Sequence, residues 1–149
     1  MGPVVCSIDN SEGARAALQA ASRLGEALEL PLVVLHVEPA PTAPGLGAAP
    51  GGHERLLQDE LRDAEALITR LASEAGVEGF RPRVEIGPAA ERIVHACEDE
   101  GAALVVVGSH RRAGVKAALL GSVSAQVAAK APCPCLIVPP GATLPGSSG

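Results

Sequence analysis

The run Leu32-Val33-Val34-Leu35-His36-Val37 shows no alternation of apolar and polar residues. A strand with one face in water alternates. One that is apolar nearly throughout must be covered on both faces, as in a parallel sheet flanked by helices. Leu104 to Val107 is a second run of this kind, and Pro3 to Ile8, short and β-branched, is a third. Between them the apolar residues take a helical period. Ala14, Ala17, Leu18, Ala21, Leu24, Gly25 and Leu28 form one stripe, with Arg15, Gln19, Arg23 and Glu26 outside it. Asn10 or Ser11 is placed to cap that helix.

His53 to Gly76 carries Leu57, Leu61, Ala64, Ile68, Leu71 and Ala75 on one helical face. Gly87-Pro88 opens a third helix whose stripe is Ala90, Ile93, Val94 and Cys97. A last helix is expected from about Ser122 to Lys130, stopped by Pro132-Cys133-Pro134. Phe80 to Ile86 sets Arg81, Arg83 and Glu85 against Val84 and Ile86, the alternation of an edge strand, and Cys135 to Val138 reads as a fifth strand. The order β-α-β-α-β-α-β-α-β predicts an α/β fold: an open, mostly parallel five-stranded sheet with helices on both faces. The 149 residues suffice for one domain, assigned to 1–140. Within it 39–52 is a Pro/Gly-rich loop expected to be mobile, and 141–149 is a small-residue tail expected to lack order.

Composition narrows the partners. The chain is 47% hydrophobic, which excludes disorder, and its only aromatic residue is Phe80, so no stacking platform for single-stranded nucleic acid exists. A net charge of −5 gives no overall electrostatic footprint for nucleic acid or an anionic membrane. No apolar stretch approaches the roughly 20 residues of a membrane span, and no leader pattern precedes Val4. Cys6, Cys97, Cys133 and Cys135 form no zinc-type pair. No metal site is expected, and a cytoplasmic protein with reduced thiols is the plain reading.

The chemistry concentrates after Val107. An apolar strand runs into Gly108, then a basic loop with His110, Arg111, Arg112 and Lys116, then Gly121-Ser122-Val123-Ser124 at the start of a helix. A strand feeding a helix N-terminus presents unpaired N–H groups and a positive dipole end to an anion. In open α/β sheets ligands sit beyond the carboxyl ends of strands where strand order reverses. Strands one and four are the expected pair there, ending in Asp9 and Gly108. Asp9 is placed to hydrogen-bond a ligand there, or to cap the first helix. His36 is read as a satisfied core histidine, and Cys133 and Cys135 as structural. Ser122 and Ser124 suit phosphate ligation or capping, since no Gly-x-Ser-x-Gly elbow or Walker loop is present and no catalytic constellation is recognisable.

These residues together resemble the universal stress protein family over roughly residues 3 to 139. The resemblance rests on Val4–Asp9 with Ser11, Leu35-His36-Val37, Gly87-Pro88-Ala89, Val105-Val106-Val107-Gly108-Ser109, Gly121-Ser122-Val123-Ser124 and Ala131-Pro132-Cys133-Pro134. It implies the adenine-nucleotide alpha hydrolase-like fold, with strand order 3-2-1-4-5. The ATP-binding branch carries Gly-x2-Gly-x9-Gly-Ser/Thr. Here Gly108 and Gly121-Ser122 keep the spacing, while Arg111 stands at the middle glycine and Ala103 where an acidic residue is usual. The resemblance implies that Ser7, Ile8, Asp9, Val37 and Val107 surround adenosine. Gly108, Gly121, Ser122, Val123 and Ser124 would hold phosphates and ribose, with Arg111 as a bidentate phosphate partner.

Two functions are then in play. One is a stress-response sensor or switch binding ATP, AMP or cyclic AMP, with or without Mg²⁺, and hydrolysing ATP slowly at most. The alternative is a nucleotide-free dimeric interaction module whose phosphate loop has decayed at Arg111. Both include a homodimer. Cys135–Val138 is a short, apolar, uncharged edge, and pairing it with its symmetry mate would cover it.

Overall fold

The computed structural model describes residues 1–40, 52–109 and 121–145. Among these residues strands and helices alternate: β1 (Val4–Ile8), α1 (Ala14–Leu28), β2 (Leu32–Glu38), α2 (Gly52–Ala75), β3 (Phe80–Ile86), α3 (Ala89–Glu100), β4 (Leu104–Gly108), α4 (Ser122–Lys130) and β5 (Cys135–Val138). The five strands form one sheet in the order β3-β2-β1-β4-β5. Every pairing is parallel. The chain moves outward from β1 to β2 to β3, then crosses back to place β4 on the other side of β1. That reversal lies between β1 and β4.

Two separate apolar cores explain why the central strands do not alternate. Val4, Cys6 and Ile8 of β1, Leu32 and Val34 of β2 and Val106 of β4 pack on one face against Leu18, Ala17 and Ala21 of α1 and Ile68 and Leu71 of α2. Val5, Val33, Leu35, Val105 and Val107 point to the other face and meet Ile93, Ala96 and Cys97 of α3 and Val127 of α4. Consecutive residues of a strand thus enter different cores, and each core needs its own apolar residue. Ala17 and Ala21 have no exposure, so α1 lies close on the sheet through small side chains.

The edges follow from what their strands must pair with. β3 bonds only to β2 among the described residues, and Pro82, opposite Val34 in the register, is tolerated because an edge strand needs donors on one side only. Its arginines pair with acids of α3, Arg81 from an exposed position and Arg83 half-buried. Arg83 reaches Asp99 at 2.8 Å and Glu85 at 3.4 Å, and Arg81 pairs with Glu100, so the end of α3 covers that face of β3. The Arg83 guanidinium holds the Asp99 carboxyl below the usual carboxylate range.

Three details differ from the sequence expectation. Helix α1 is entered through Gly13, with no side-chain cap, rather than through Asn10 or Ser11. The Ser11 hydroxyl donates to the Asp9 carboxylate instead, and the backbone turns there, with the Ala14 N–H pointing to the Ser11 carbonyl at 3.3 Å. Residues 141–145, expected to be without order, have a place: Ala142 and Leu144 pack against the α1/α2 core, and the Ala142 N–H donates to the Pro139 carbonyl at 3.1 Å. Two apolar side chains two residues apart suffice to seat this segment beside Ala75 and Val77. The Pro/Gly-rich loop and the basic loop with Arg111 lie for the most part outside the described residues, as do 146–149.

Helices α1 and α3 end alike. Each closes with its C-terminal carbonyls bonded to a residue in the left-handed region and the residue after it, at Gly101 for α3 (φ 61°) and at Glu29 for α1 (φ 55°). Glycine adopts this conformation freely, whereas Glu29 bears a Cβ penalty of roughly 1 kcal/mol. Glu29→Gly is expected to stabilise the chain by about 0.5–1 kcal/mol, read as a raised urea midpoint at unchanged m-value.

Candidate functional site

At the carboxyl ends of β1 and β4, where the strand order reverses, the structure opens a cleft of about 250 Å³. Its walls are the strand ends Ser7, Ile8, Asp9, Val37, Val107 and Gly108 and the start of α4, Gly121, Ser122, Val123 and Ser124. These are all the sequence-expected site residues except Arg111, which lies outside the described residues. Three further residues complete the lining: Ala14, Ala89 and Ile93. Sequence reading missed them because alanine and isoleucine carry no chemistry. The available signal was position, since Ala14 and Ala89 are the first residues of their helices.

That position matters electrostatically. Helices α1, α3 and α4 begin at Ala14, Ala89 and Ser122, and all three starts face the same cleft. None has a side-chain cap: the residues before them are Gly13, Pro88 and Gly121. The first N–H groups of a helix have no partner within it, and each start carries roughly half a positive charge. Three uncapped starts on one cleft favour an anionic occupant. The lining also carries the aliphatic side chains Ile8, Val37, Ile93 and Val107, which suit a flat apolar group.

Close backbone approach builds this geometry. A Cβ on Gly13 would lie 2.7 Å from the Ser109 carbonyl oxygen, and one on Gly108 would lie 3.0 Å from the Gly13 carbonyl oxygen. The two glycines let the β1–α1 turn touch the exit of β4. Gly121 differs: among the described residues no atom comes within 4 Å of a Cβ built there, and its φ is −72°. Neither the packing of the described residues nor the backbone conformation requires a glycine at that point. The Ser124 hydroxyl, buried, donates to the Gly108 carbonyl at 3.2 Å and ties α4 to β4. Its proton is thereby committed, so only its lone pairs face other groups. The Ser109 N–H donates to the Val138 carbonyl at 2.9 Å, which carries the bonding between β4 and β5 on to Ser109.

His36 is a satisfied buried histidine, as expected, with Nδ1 2.8 Å from the Ile8 carbonyl and Nε2 2.8 Å from a Glu38 carboxylate oxygen. The cysteines sit away from the cleft lining. Burial pushes the Cys6 thiol up to about 12. Cys97, packed against Cys133, is likewise pushed up to about 12, chiefly by burial. Thiols held neutral in this way are poor nucleophiles. Among the described residues no group of three or more His, Cys, Asp or Glu is arranged to hold a metal ion, and no helix is long and apolar enough to cross a membrane.

Comparison with known proteins agrees with this architecture. Residues 1–139 match the model of the universal stress protein family. The universal stress protein YxiE of Bacillus subtilis is 34% identical over 145 residues, covering 91% of this chain and 97% of that protein. Among solved structures, the universal stress protein of Archaeoglobus fulgidus in complex with dAMP superposes with a TM-score of 0.62 at 20% identity, over 93% of this chain and 98% of that one. A universal stress protein in complex with cAMP superposes with a TM-score of 0.60 at 22% identity, over 92% and 96%. At those identities the two structures establish the shared fold.

The Gly13–Gly108 contact makes a direct test of how the cleft is built. Gly13→Ala is expected to destabilise the chain by about 1–3 kcal/mol, because the added methyl meets backbone that has no rotamer to yield. Gly121→Ala, where no described residue crowds the added methyl, is expected to change stability by less than about 0.5 kcal/mol. Urea unfolding of both variants checks the contrast.

Proposed function

The chain belongs to the universal stress protein family, and on that premise we propose that it binds an adenine nucleotide in the cleft between β1 and β4 as a sensor or switch in a stress response. The observation that carries this reading is the convergence of three uncapped helix starts on a cleft whose lining is otherwise rich in aliphatic side chains. Phosphates would take the α4 start, at Gly121, Ser122 and the lone pairs of Ser124, where a glycine leaves room for close approach. The base would lie against Ile8, Val37 and Val107, with Asp9 toward ribose. ATP is the favoured occupant, from the Gly108 to Gly121-Ser122 spacing, and Arg111 would supply a bidentate phosphate contact from the basic loop. AMP and cyclic AMP share the same base and sugar. Among the described lining residues the one carboxylate is Asp9, assigned here to ribose, so ATP hydrolysis would be slow at most and Mg²⁺ would serve phosphate charge.

One observation favours a second reading. Arg111 stands where the nucleotide-binding pattern has its middle glycine. In this reading the loop has lost the nucleotide and the chain works as an interaction module. Either way we infer a cytoplasmic homodimer through β5, which among the described residues pairs only with β4 and ends the sheet with an uncharged edge.

Equilibrium titration with ATP, AMP and cyclic AMP, each with and without Mg²⁺, decides between the readings. Binding at micromolar to low-millimolar concentration is expected, weakened at least about tenfold in Gly121→Val, whose side chain would fill the phosphate approach. No binding in the wild type, restored in Arg111→Gly, would establish the decayed loop instead. Sedimentation at micromolar concentration is expected to give a dimer, and a monomer there would overturn the edge-pairing proposal.

A further inference from the structure

Three of the cysteines gather on one side of the sheet, at the end away from the cleft. Cys97 lies on the buried stripe of α3, enclosed in the α3/α4 core, and Cys133 and Cys135 pack on that same core, each half-buried. Cys6 belongs to the core on the opposite face. Two of the three thiols are in direct contact: the Cys97 thiol donates a hydrogen bond to the Cys133 sulfur. Cys135 is near Cys97 but shares no hydrogen bond with it.

Backbone bonds hold both partners in place. The Cys97 carbonyl accepts the Ala102 N–H at 3.0 Å where α3 closes at Gly101. The Pro134 carbonyl, next to Cys133, accepts the Val105 N–H at 3.0 Å. Pro132 and Pro134 restrict the chain on either side of Cys133. Two groups fixed against each other in this way react as if highly concentrated. We propose that Cys97 and Cys133 are a reversible oxidation site, which a peroxide closes to a disulfide. The site lies at the amino end of β5, whereas the cleft lies at the carboxyl ends of β1 and β4, and it does not depend on the nucleotide reading.

Exposure and the direction of the hydrogen bond assign the roles. Cys133 has solvent on one side and accepts the S–H of Cys97, so the contact favours its thiolate. Burial raises the Cys133 thiol all the same, and the bond from Cys97 opposes that rise. The first step is therefore slow at neutral pH and accelerates as pH rises. In it the Cys133 thiolate attacks one oxygen of hydrogen peroxide and the O–O bond breaks. Hydroxide leaves and takes up the proton that Cys133 gave up, as water, and Cys133 carries a sulfenic acid. The Cys97 sulfur then attacks the Cys133 sulfur, the S–O bond breaks, and the hydroxyl leaves with the Cys97 proton as a second water. Two thiols lose two electrons, and one peroxide is reduced to two waters. The chain between the two cysteines contains β4, the basic loop and α4, so the disulfide closes a covalent ring around the segment that carries Gly108 and Gly121-Ser122. Such a ring constrains the unfolded chain.

Peptide mapping without reductant, on the full chain exposed to excess hydrogen peroxide at about pH 8, tests this. Two of its four thiols are expected to be lost, with a Cys97–Cys133 cross-linked peptide, and to return with dithiothreitol. The oxidised chain should run as a monomer on a non-reducing denaturing gel and unfold at a higher urea concentration than the reduced chain. Cys135→Ser should oxidise in the same way, and Cys133→Ser should form no internal cross-link. Cys97→Ala should stop at a Cys133 sulfenic acid that dimedone traps. Should the core not accept that change, dimedone added to the wild type during oxidation reads the same intermediate. It should label Cys133 rather than Cys97 and lower the yield of cross-link. A cross-link between Cys133 and Cys135, dimedone on Cys97, or a Cys133 sulfinic acid beside an intact Cys97 thiol would overturn the proposal, as would the survival of all four thiols.

Discussion

The structure depends on β1 being buried from both sides. It is the middle strand of five, with β2 and β4 bonded to its two edges and a helical layer on each face. Its apolar residues divide between two cores: Val4, Cys6 and Ile8 toward α1 and α2, Val5 toward α3 and α4. At roughly 25 cal/mol per Å² of apolar surface, this double burial is the largest favourable contribution available to so short a strand. It also fixes the topology. The crossover helix from β1 to β2 covers one face, and the crossover from β3 back to β4 covers the other, since right-handed connections on opposite sides of β1 must do so. Helix starts of opposite layers therefore meet at one point, beyond the ends of β1 and β4.

The cleft is a consequence of that meeting rather than an addition to it. Two glycines, Gly13 and Gly108, remove the side chains that would hold the β1–α1 turn away from the β4 exit. Gly13, Pro88 and Gly121 precede the three helices and leave their first N–H groups without side-chain caps. In place of glycine, a Ser, Thr or Asp at such a position adds only a few tenths of a kcal/mol to helix stability, so leaving the starts uncapped is a small local cost to folding. The His36 ring adds a polar tie between β2 and the end of β1, and the Ser124 hydroxyl adds another between α4 and β4.

Much of this was legible in the residues. The lack of alternation in Leu32–Val37 and Leu104–Val107 implied a sheet covered on both faces, and the positions of the strands and helices followed from period and punctuation. Gly108, Gly121 and Ser122 marked the cleft by their spacing. Other features were not legible. Ser11 looks like a helix cap, yet its hydroxyl turns to Asp9, because the turn must deliver Gly13 to Ser109 across the sheet. The tail looked featureless, yet Ala142 and Leu144 find a seat beside Val77. Ala14, Ala89 and Ile93 join the cleft lining from three separate parts of the chain. Each miss has the same origin: a local preference was outweighed by a contact between residues distant in sequence.

By itself the sequence determined the elements, the layered α/β class and the family, because period, glycine and proline act over a few residues and are written in order. It also singled out Gly108, Gly121, Ser122, Val123 and Ser124, which the structure brings to one cleft. Only the tertiary structure decided that three helix starts converge, that Gly108 is required for contact with Gly13 while no described residue crowds Gly121, and that both nitrogens of His36 meet acceptors. Those outcomes depend on distances between β1, β3 and β4, and such distances exist only once both faces of the sheet have been covered.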